Sequence, residues 1–253
     1  MDRQEDHAAD WRDAQAYAQL IDADRSIFAW EWLRRDPDYR AAARIGKDKR
    51  GVKNADHWGL HRFEDPLRAA PDARLLWRAE HHSLVLNAKA LAPAAPTDAI
   101  EFGRLAALAT VEAGDAGGEH WLLSDGLRAI RFDLIDGTAS EGPVELHYML
   151  AGRASANGPL LALRRLLALA ETGRFSRMLH PREPKARRWI LTLRAYDALA
   201  AGATQREIAA GLLSEDAAEA RWRVNAASLR SQVQRLTRAA RCFADGGYRA
   251  FLR

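Results

Sequence analysis

Hydrophobic residues recur at helical spacing in both ends of the chain and at every second position in part of its middle. The first helical run contains Trp11, Ala14, Tyr17, Ala18 and Ile21. A second run ends at Asp36-Pro37. Asp36 is predicted to cap a further helix, and Pro37 to be its first residue. Proline is suited to this position because the backbone amide that it lacks would have no partner there. Residues 1–66 are therefore predicted to form a helical, tryptophan-rich unit.

Alternation of apolar and polar residues predicts β-strands between about residues 70 and 152. Ile130, Phe132 and Leu134 alternate with polar residues, and the sequence SDG at 124–126 predicts a hairpin turn before them. Val144, Leu146 and Tyr148 repeat the alternation. These strands predict a small antiparallel sheet, with residues 105–111 as a helix packed on it.

The chain becomes helical again after residue 157. One predicted helix carries an apolar stripe of Leu160, Leu163, Leu167 and Ala170, with Arg164 and Arg165 outside it. The pattern as a whole predicts an α+β fold that is mainly helical, with a helical N-terminal unit (1–66), a small antiparallel sheet (67–156) and a helical C-terminal domain (157–253).

The C-terminal domain contains a pattern typical of a helix-turn-helix DNA-binding motif. A helix over 187–201 ends at Gly202, and the sequence TQREIA at 204–209 starts another with Thr204 and Glu207 as a capping box. The small Ala209 allows close crossing by a third helix. Residues 214–227, which include Trp222, then replace the usual short turn, so either an extra helical turn is inserted or the motif only imitates a helix-turn-helix.

The third helix, around 228–243, is amphipathic. Its apolar positions are Leu229, Val233, Leu236, Ala240 and Phe243. Its polar face is predicted to contact DNA bases through Arg230, Gln234, Thr237, Arg238 and Arg241, because arginine and glutamine can form paired hydrogen bonds with guanine and adenine. DNA phosphates are predicted to contact Thr204, Gln205, Arg206, Arg187, Arg188 and Arg235. A solvated amphipathic helix without a ligand is the alternative for this pattern.

Charge is unevenly distributed along the chain. The net charge is +4, and residues 185–253 contribute 13 Lys and Arg against 6 Asp and Glu, which leaves +7 there and −3 in the rest. A basic segment over the predicted DNA-binding helices is typical of proteins that displace counterions from nucleic acid. Arginines that merely solubilise surface helices would give the same asymmetry.

Several protein classes are disfavoured by the composition. The single cysteine, Cys242, excludes an internal disulfide framework and a multi-cysteine zinc site, and we expect it to pack as an apolar group. The sequence shows neither an apolar run long enough to span a bilayer nor a secretion signal, which predicts a soluble, cytoplasmic protein without a membrane partner.

Enzymatic chemistry is not indicated. His57 and His61 have the spacing of helical metal ligands, but the residues between them lack the glutamate of a metalloprotease, so aromatic packing or surface exposure is the favoured interpretation. Asp133 and Asp136 are attributed to a strand and its turn. We expect no catalytic residue, no metal and no cofactor.

Short motifs across the chain resemble the frameshifted excision activators of bacterial integrative and conjugative elements. In the C-terminal domain these are RRW at 187–189, LRAYD at 193–197, GATQREIA at 202–209, LRS at 229–231, RL at 235–236 and GGY at 246–248. In the N-terminal unit they are WRD at 11–13, FAWEW at 28–32 and RDPDY at 35–39. The long segment before residue 228 is a trait of that family.

The resemblance implies a helix-turn-helix variant that activates transcription of excision and conjugative-transfer genes. It implies double-stranded promoter DNA as the partner and control by a small antiactivator protein. The tryptophans of the N-terminal unit, taken with this family context, predict a contact of that unit with RNA polymerase or with a second chain. Deleting residues 1–66 should then abolish activation and spare DNA binding. The alternative is an interaction module, an antiactivator or adaptor, that does not bind DNA and uses exposed tryptophans and a sheet edge instead.

Overall fold

A computed structural model describes residues 10–45, 51–114, 117–213 and 227–253. The α-helices are α1 (Arg25–Leu33), α2 (Pro37–Ile45), α3 (Asn157–Thr172), α4 (Ala186–Ala200), α5 (Gln205–Leu212) and α6 (Ala227–Ala244). The strands are β1 (Val85–Leu91), β2 (Ala109–Ala113), β3 (Glu119–Ser124), β4 (Ala129–Asp136) and β5 (Glu145–Met149). Short 3₁₀ helices cover Gln15–Asp22, Gly51–Trp58, Pro96–Asp98, Phe102–Leu108 and Gly247–Leu252. The predicted α+β class is confirmed.

The strands form one five-stranded sheet in the order β2-β3-β4-β1-β5. The predicted hairpin between β3 and β4 is confirmed, with Trp121 opposite Phe132. The prediction of a purely antiparallel sheet is wrong, because β1 pairs with β4 in parallel and the other neighbours are antiparallel. The helix predicted over 105–111 is also wrong in part, since a 3₁₀ helix ends at Leu108 and β2 begins at Ala109.

Helix α3 covers the apolar face of the sheet. Its buried positions are Ala162, Arg165, Leu166 and Leu169, whereas Leu160 and Leu167 of the predicted stripe are 44% and 45% exposed. The stripe was misplaced because leucines occupy more than one side of this helix. Arg165, predicted to lie outside, is buried instead and donates from Nε to the carbonyl oxygen of Leu179 at 2.9 Å.

The two ends of the chain share one hydrophobic core. Phe28 on α1 contacts Trp189 on α4 with ring centroids 5.0 Å apart, and Trp32 contacts Phe243 on α6 at 5.3 Å. The 3₁₀ helix Gly247–Leu252 packs on the same core through its buried Tyr248, Phe251 and Leu252. The N-terminal helices thus support the C-terminal helices directly.

Tryptophan is a core residue in this fold. Among the described tryptophans, Trp58 is partly buried, and the buried ones are Trp11, Trp30, Trp32, Trp77, Trp121 and Trp189. The exposed tryptophan surface expected for an interaction module is therefore wrong for these residues. Within the described part of the chain, none of the helices has the length and apolar character needed to cross a membrane.

Candidate DNA interface

The turn between α4 and α5 is built by local sequence. Gly202 follows α4 with φ = 76°, a backbone conformation that costs glycine little, and the Ala203 amide donates to the Ala198 carbonyl oxygen at 2.9 Å. Thr204 then caps α5. Its hydroxyl accepts from the Glu207 amide, and its own amide donates to a Glu207 carboxylate oxygen at 2.7 Å. Both predictions, the glycine end and the capping box, are confirmed.

A small apolar cluster holds α4, α5 and α6 together. It contains Trp11, Ala198, Ile208, Ala209 and Val233, all buried. The approach of Trp11 to α5 is close, because a Cβ added at Gly211 would lie 2.6 Å from the Trp11 ring. The small residues Ala209 and Gly211 thus permit the compact arrangement that the sequence predicted for a helix-turn-helix variant.

Helix α6 divides into a buried and an exposed side. Val233 and Ala240 lie against the core, while Gln234, Arg238 and Arg241 are exposed. Because residues 234, 238 and 241 are separated by four and three positions, they share one side of the helix, which we call the α6 outer face.

The two remaining base-contact candidates are placed differently. Thr237 is only 7% exposed, and its hydroxyl donates to the Gln234 carbonyl oxygen at 3.2 Å. Its assignment to the exposed face is corrected, because position 237 lies four residues after Val233 and three before Ala240, on the buried side. Arg230 is half-buried at the start of α6.

The candidate phosphate contacts fall into two groups. Arg188 and Arg235 line one groove of about 230 Å³ between α4 and α6, and Arg187 is exposed beside Arg188 in the first turn of α4. Gln205 and Arg206 are exposed at the start of α5. The capping box engages the hydroxyl and the amide of Thr204, which orients the start of α5, and phosphate contact by Thr204 stays a prediction.

Buried ion pairs fix α4 against the N-terminal helices. Arg35 donates to both carboxylate oxygens of Asp197 at 2.7 and 2.8 Å, and the Tyr17 hydroxyl donates to the same carboxylate at 2.7 Å. Burial by itself would raise the pKa of Glu31, but the charges of Arg34 and Arg35 outweigh it and hold that pKa below its ordinary value. The network couples the N-terminal helices to the first helix of the DNA-binding unit.

Two further sequence assignments concern α6 and the segment before it. Cys242 is exposed, so the expectation that it packs as an apolar group is wrong. It follows Arg238 by four positions and thus lies beside the α6 outer face. The segment predicted at 214–227, which includes Trp222, lies outside the described residues except for Ala227, the first residue of α6.

Sequence reasoning missed a polar cluster on the sheet. His61, His120 and Asp133 each offer a ligand atom, and these atoms lie within 4.8 Å of one another. The strand register was the available signal, because β3 and β4 joined by the predicted hairpin place His120 opposite Asp133. His61 had been considered only together with His57, because only the tertiary fold brings it to the sheet.

Comparison with known families identifies two matching regions. Residues 150–253 match the RovC-type DNA-binding domain of type VI secretion system transcription factors, and residues 10–63 match the proteobacterial transcriptional regulator-like domain. No curated protein matches the chain. The second match covers the helices that brace α4, and the first covers the helices that carry the α6 outer face. The chain thus combines a transcriptional regulator-like domain with a DNA-binding domain, the composition of a DNA-binding transcription regulator.

Proposed function

We propose that this regulator activates excision and conjugative-transfer genes of a mobile element by inserting α6 into the major groove of promoter DNA. The observation that carries the proposal is the α6 outer face, where Gln234, Arg238 and Arg241 project from a helix whose opposite side is buried. The resemblance to excision activators supports the choice of target genes. The protein acts by binding, without a catalytic step.

The length of the α6 outer face matches a few base pairs of DNA. From residue 234 to residue 241 the helix rises about 10 Å, which corresponds to roughly three base pairs. Arginine can donate two hydrogen bonds to guanine, and glutamine can pair with adenine through its amide. We therefore expect Arg238 and Arg241 to select guanines and Gln234 to select an adenine within one half-site.

Backbone contacts position the helix. Arg188 on α4 and Arg235 on α6 line the same groove, and Gln205 and Arg206 lie at the start of α5, where helix amides attract a phosphate. Arg187 extends the first group. Because each neutralised phosphate releases counterions, the affinity should fall steeply with salt, with a slope of about 0.9 in log affinity per log salt for each phosphate contacted.

An adaptor that does not bind DNA is the competing function. Its expected tryptophan surface is buried in the described residues, which leaves the sheet edges and the arginines of α6 to bind an acidic partner. A small antiactivator and RNA polymerase remain proposed partners of the regulator. Affinity for promoter DNA that does not change with salt would favour the adaptor.

The decisive experiment is footprinting of the full chain on regions upstream of excision genes, with regions upstream of type VI secretion genes as the comparison. Arg238→Ala and Gln234→Ala should each weaken the specific footprint by roughly 5- to 150-fold, the equivalent of about 1–3 kcal/mol per base contact, while binding to unrelated DNA changes little. Arg164→Ala is the matched control, because Arg164 is an exposed helical arginine on α3.

Two outcomes would contradict the proposal. Unchanged footprints for both α6 variants would show that another surface recognises the bases. Protection upstream of type VI secretion genes alone would retain DNA binding and reject excision genes as the target.

A further inference from the structure

The polar face of the sheet carries a cluster of metal-ligand side chains at its junction with the N-terminal region. The register of β3 and β4 places His120 directly opposite Asp133. His61 lies over this pair. Its position is fixed by a β-bridge between Leu60 and Trp77 and by a hydrogen bond of 2.9 Å from the His61 amide to the Leu76 carbonyl oxygen. The imidazole rings of His61 and His120 stack with centroids 3.6 Å apart.

The donor atoms of this cluster are close and incompletely used. His120 Nδ1 lies 2.9 Å from Asp133 Oδ1. His61 Nε2 is buried without a hydrogen-bond partner, an arrangement that costs free energy in the absence of a ligand. One ligand atom from each residue falls within 4.8 Å of the other two. An ion with tetrahedral coordination and bonds of about 2.0–2.1 Å needs ligand atoms about 3.3 Å apart. Rotation of the three side chains on a fixed backbone can bring their ligand atoms to that distance.

We propose that His61, His120 and Asp133 bind a late first-row divalent transition metal, with Zn²⁺ as the representative ion. Two imidazoles and one carboxylate favour Zn²⁺, Ni²⁺ or Cu²⁺, whereas Mg²⁺ and Ca²⁺ prefer sets made of oxygen atoms. Three protein ligands leave one coordination position for water or for an exogenous ligand.

Arg131 sets the strength of this site. Its Nη2 donates to Asp133 Oδ1 at 2.8 Å, and its other guanidinium contacts are the carbonyl oxygens of Trp77, Trp121 and Phe132. The guanidinium fixes the orientation of the carboxylate, as hydrogen-bonded neighbours do around many metal ligands. Its charge also repels a cation, so the affinity should be lower than that of a closed zinc site with four protein ligands.

A metal ion at this site would connect two regions of the chain. His61 belongs to the region that matches the regulator-like domain, whereas His120 and Asp133 belong to β3 and β4. A bound ion would therefore join the N-terminal region to the sheet. Since it binds only the folded chain, zinc at 100 times its dissociation constant should raise the thermal unfolding midpoint by roughly 5–10 °C.

The test uses the untagged full chain after removal of metals with a chelator. Isothermal titration with ZnCl₂ should show one ion per chain at this site, and Co²⁺ should give the visible absorption of a site with nitrogen and oxygen ligands. His61→Ala and His120→Ala should weaken zinc binding at least 10-fold and remove the rise in the unfolding midpoint. His57→Ala and His147→Ala are matched controls outside the cluster and should bind zinc as the wild type does.

A second measurement on the wild type keeps the proposal testable if the variants do not fold. Zinc should protect His120, which is partly exposed, but not the exposed His147, from modification by diethyl pyrocarbonate, as read by peptide mass spectrometry. Absence of zinc binding, protection confined to other residues, or unchanged binding by folded His61→Ala and His120→Ala would overturn the proposal. None of these measurements involves DNA, so they separate this site from the proposed regulatory function.

Discussion

The ion pair between Arg35 and Asp197 should be essential for the stability of the chain. Both side chains are nearly buried, with 10% and 5% of their surface exposed. Asp197→Asn keeps the shape of the side chain and removes its charge. Arg34 and Arg35 then share Glu31 as their nearest buried carboxylate, which leaves one positive charge uncompensated in the core.

The expected cost follows from the contacts that Asp197 makes. It accepts two hydrogen bonds from Arg35 and one from Tyr17. Removing one partner of a buried pair costs about 3–5 kcal/mol, because the remaining charge stays desolvated without compensation. The free energy of unfolding should fall by that amount, and with it the fraction of chain able to bind DNA, since Asp197 lies on α4.

Equilibrium unfolding in urea measures this loss. Asp22→Asn is the matched control, because Asp22 pairs with Arg182 on the surface, where the side chains are 51% and 70% exposed, and should change stability by at most about 1 kcal/mol. The double variant Arg35→Met with Asp197→Leu should recover much of the loss, since it removes both buried charges. A change of under 1 kcal/mol for Asp197→Asn would refute this account of the network.

Deletion of residues 1–66 should unfold the remaining chain, because Phe28 and Trp32 are lost from the shared core. If the fragment is folded by circular dichroism and still binds DNA, the sequence-based expectation that the deletion spares DNA binding is correct instead. Specific promoter DNA should slow alkylation of Cys242 beside the α6 outer face, and equal rates with and without DNA would place the contact elsewhere. Burial, followed by the charge of Arg131, lowers the pKa of His82 to about 3. A histidine in the unfolded chain has a pKa of about 6.5. The contribution of neutral His82 to the free energy of unfolding is therefore fully present above that pH. It is lost as the pH falls toward 3, by up to about 1.4 kcal/mol per pH unit. His82→Gln should flatten this slope in unfolding experiments, and a wild-type slope in the variant would show that other groups cause it.

The sequence by itself determined the features that depend on neighbouring residues. The capping box at Thr204, the end of α4 at Gly202 and the cap of α2 at Asp36 are all confirmed, because each is closed by hydrogen bonds within a few positions. The β3–β4 hairpin is confirmed for the same reason. Helical spacing also placed Gln234, Arg238 and Arg241 on one exposed side of α6.

Only the tertiary structure decided which of several possible faces is buried and which distant residues meet. The burial of Arg165 and Thr237 and the exposure of Cys242 depend on the elements that pack against α3 and α6, and helical spacing alone allows neighbouring sides. The parallel pairing of β1 with β4, the buried ion pair between Arg35 and Asp197, and the approach of His61 to His120 join residues far apart in the chain. Such contacts form because the whole chain must bury its apolar surface and pair its buried charges. The local periodicity of a segment does not determine which distant residues it will contact.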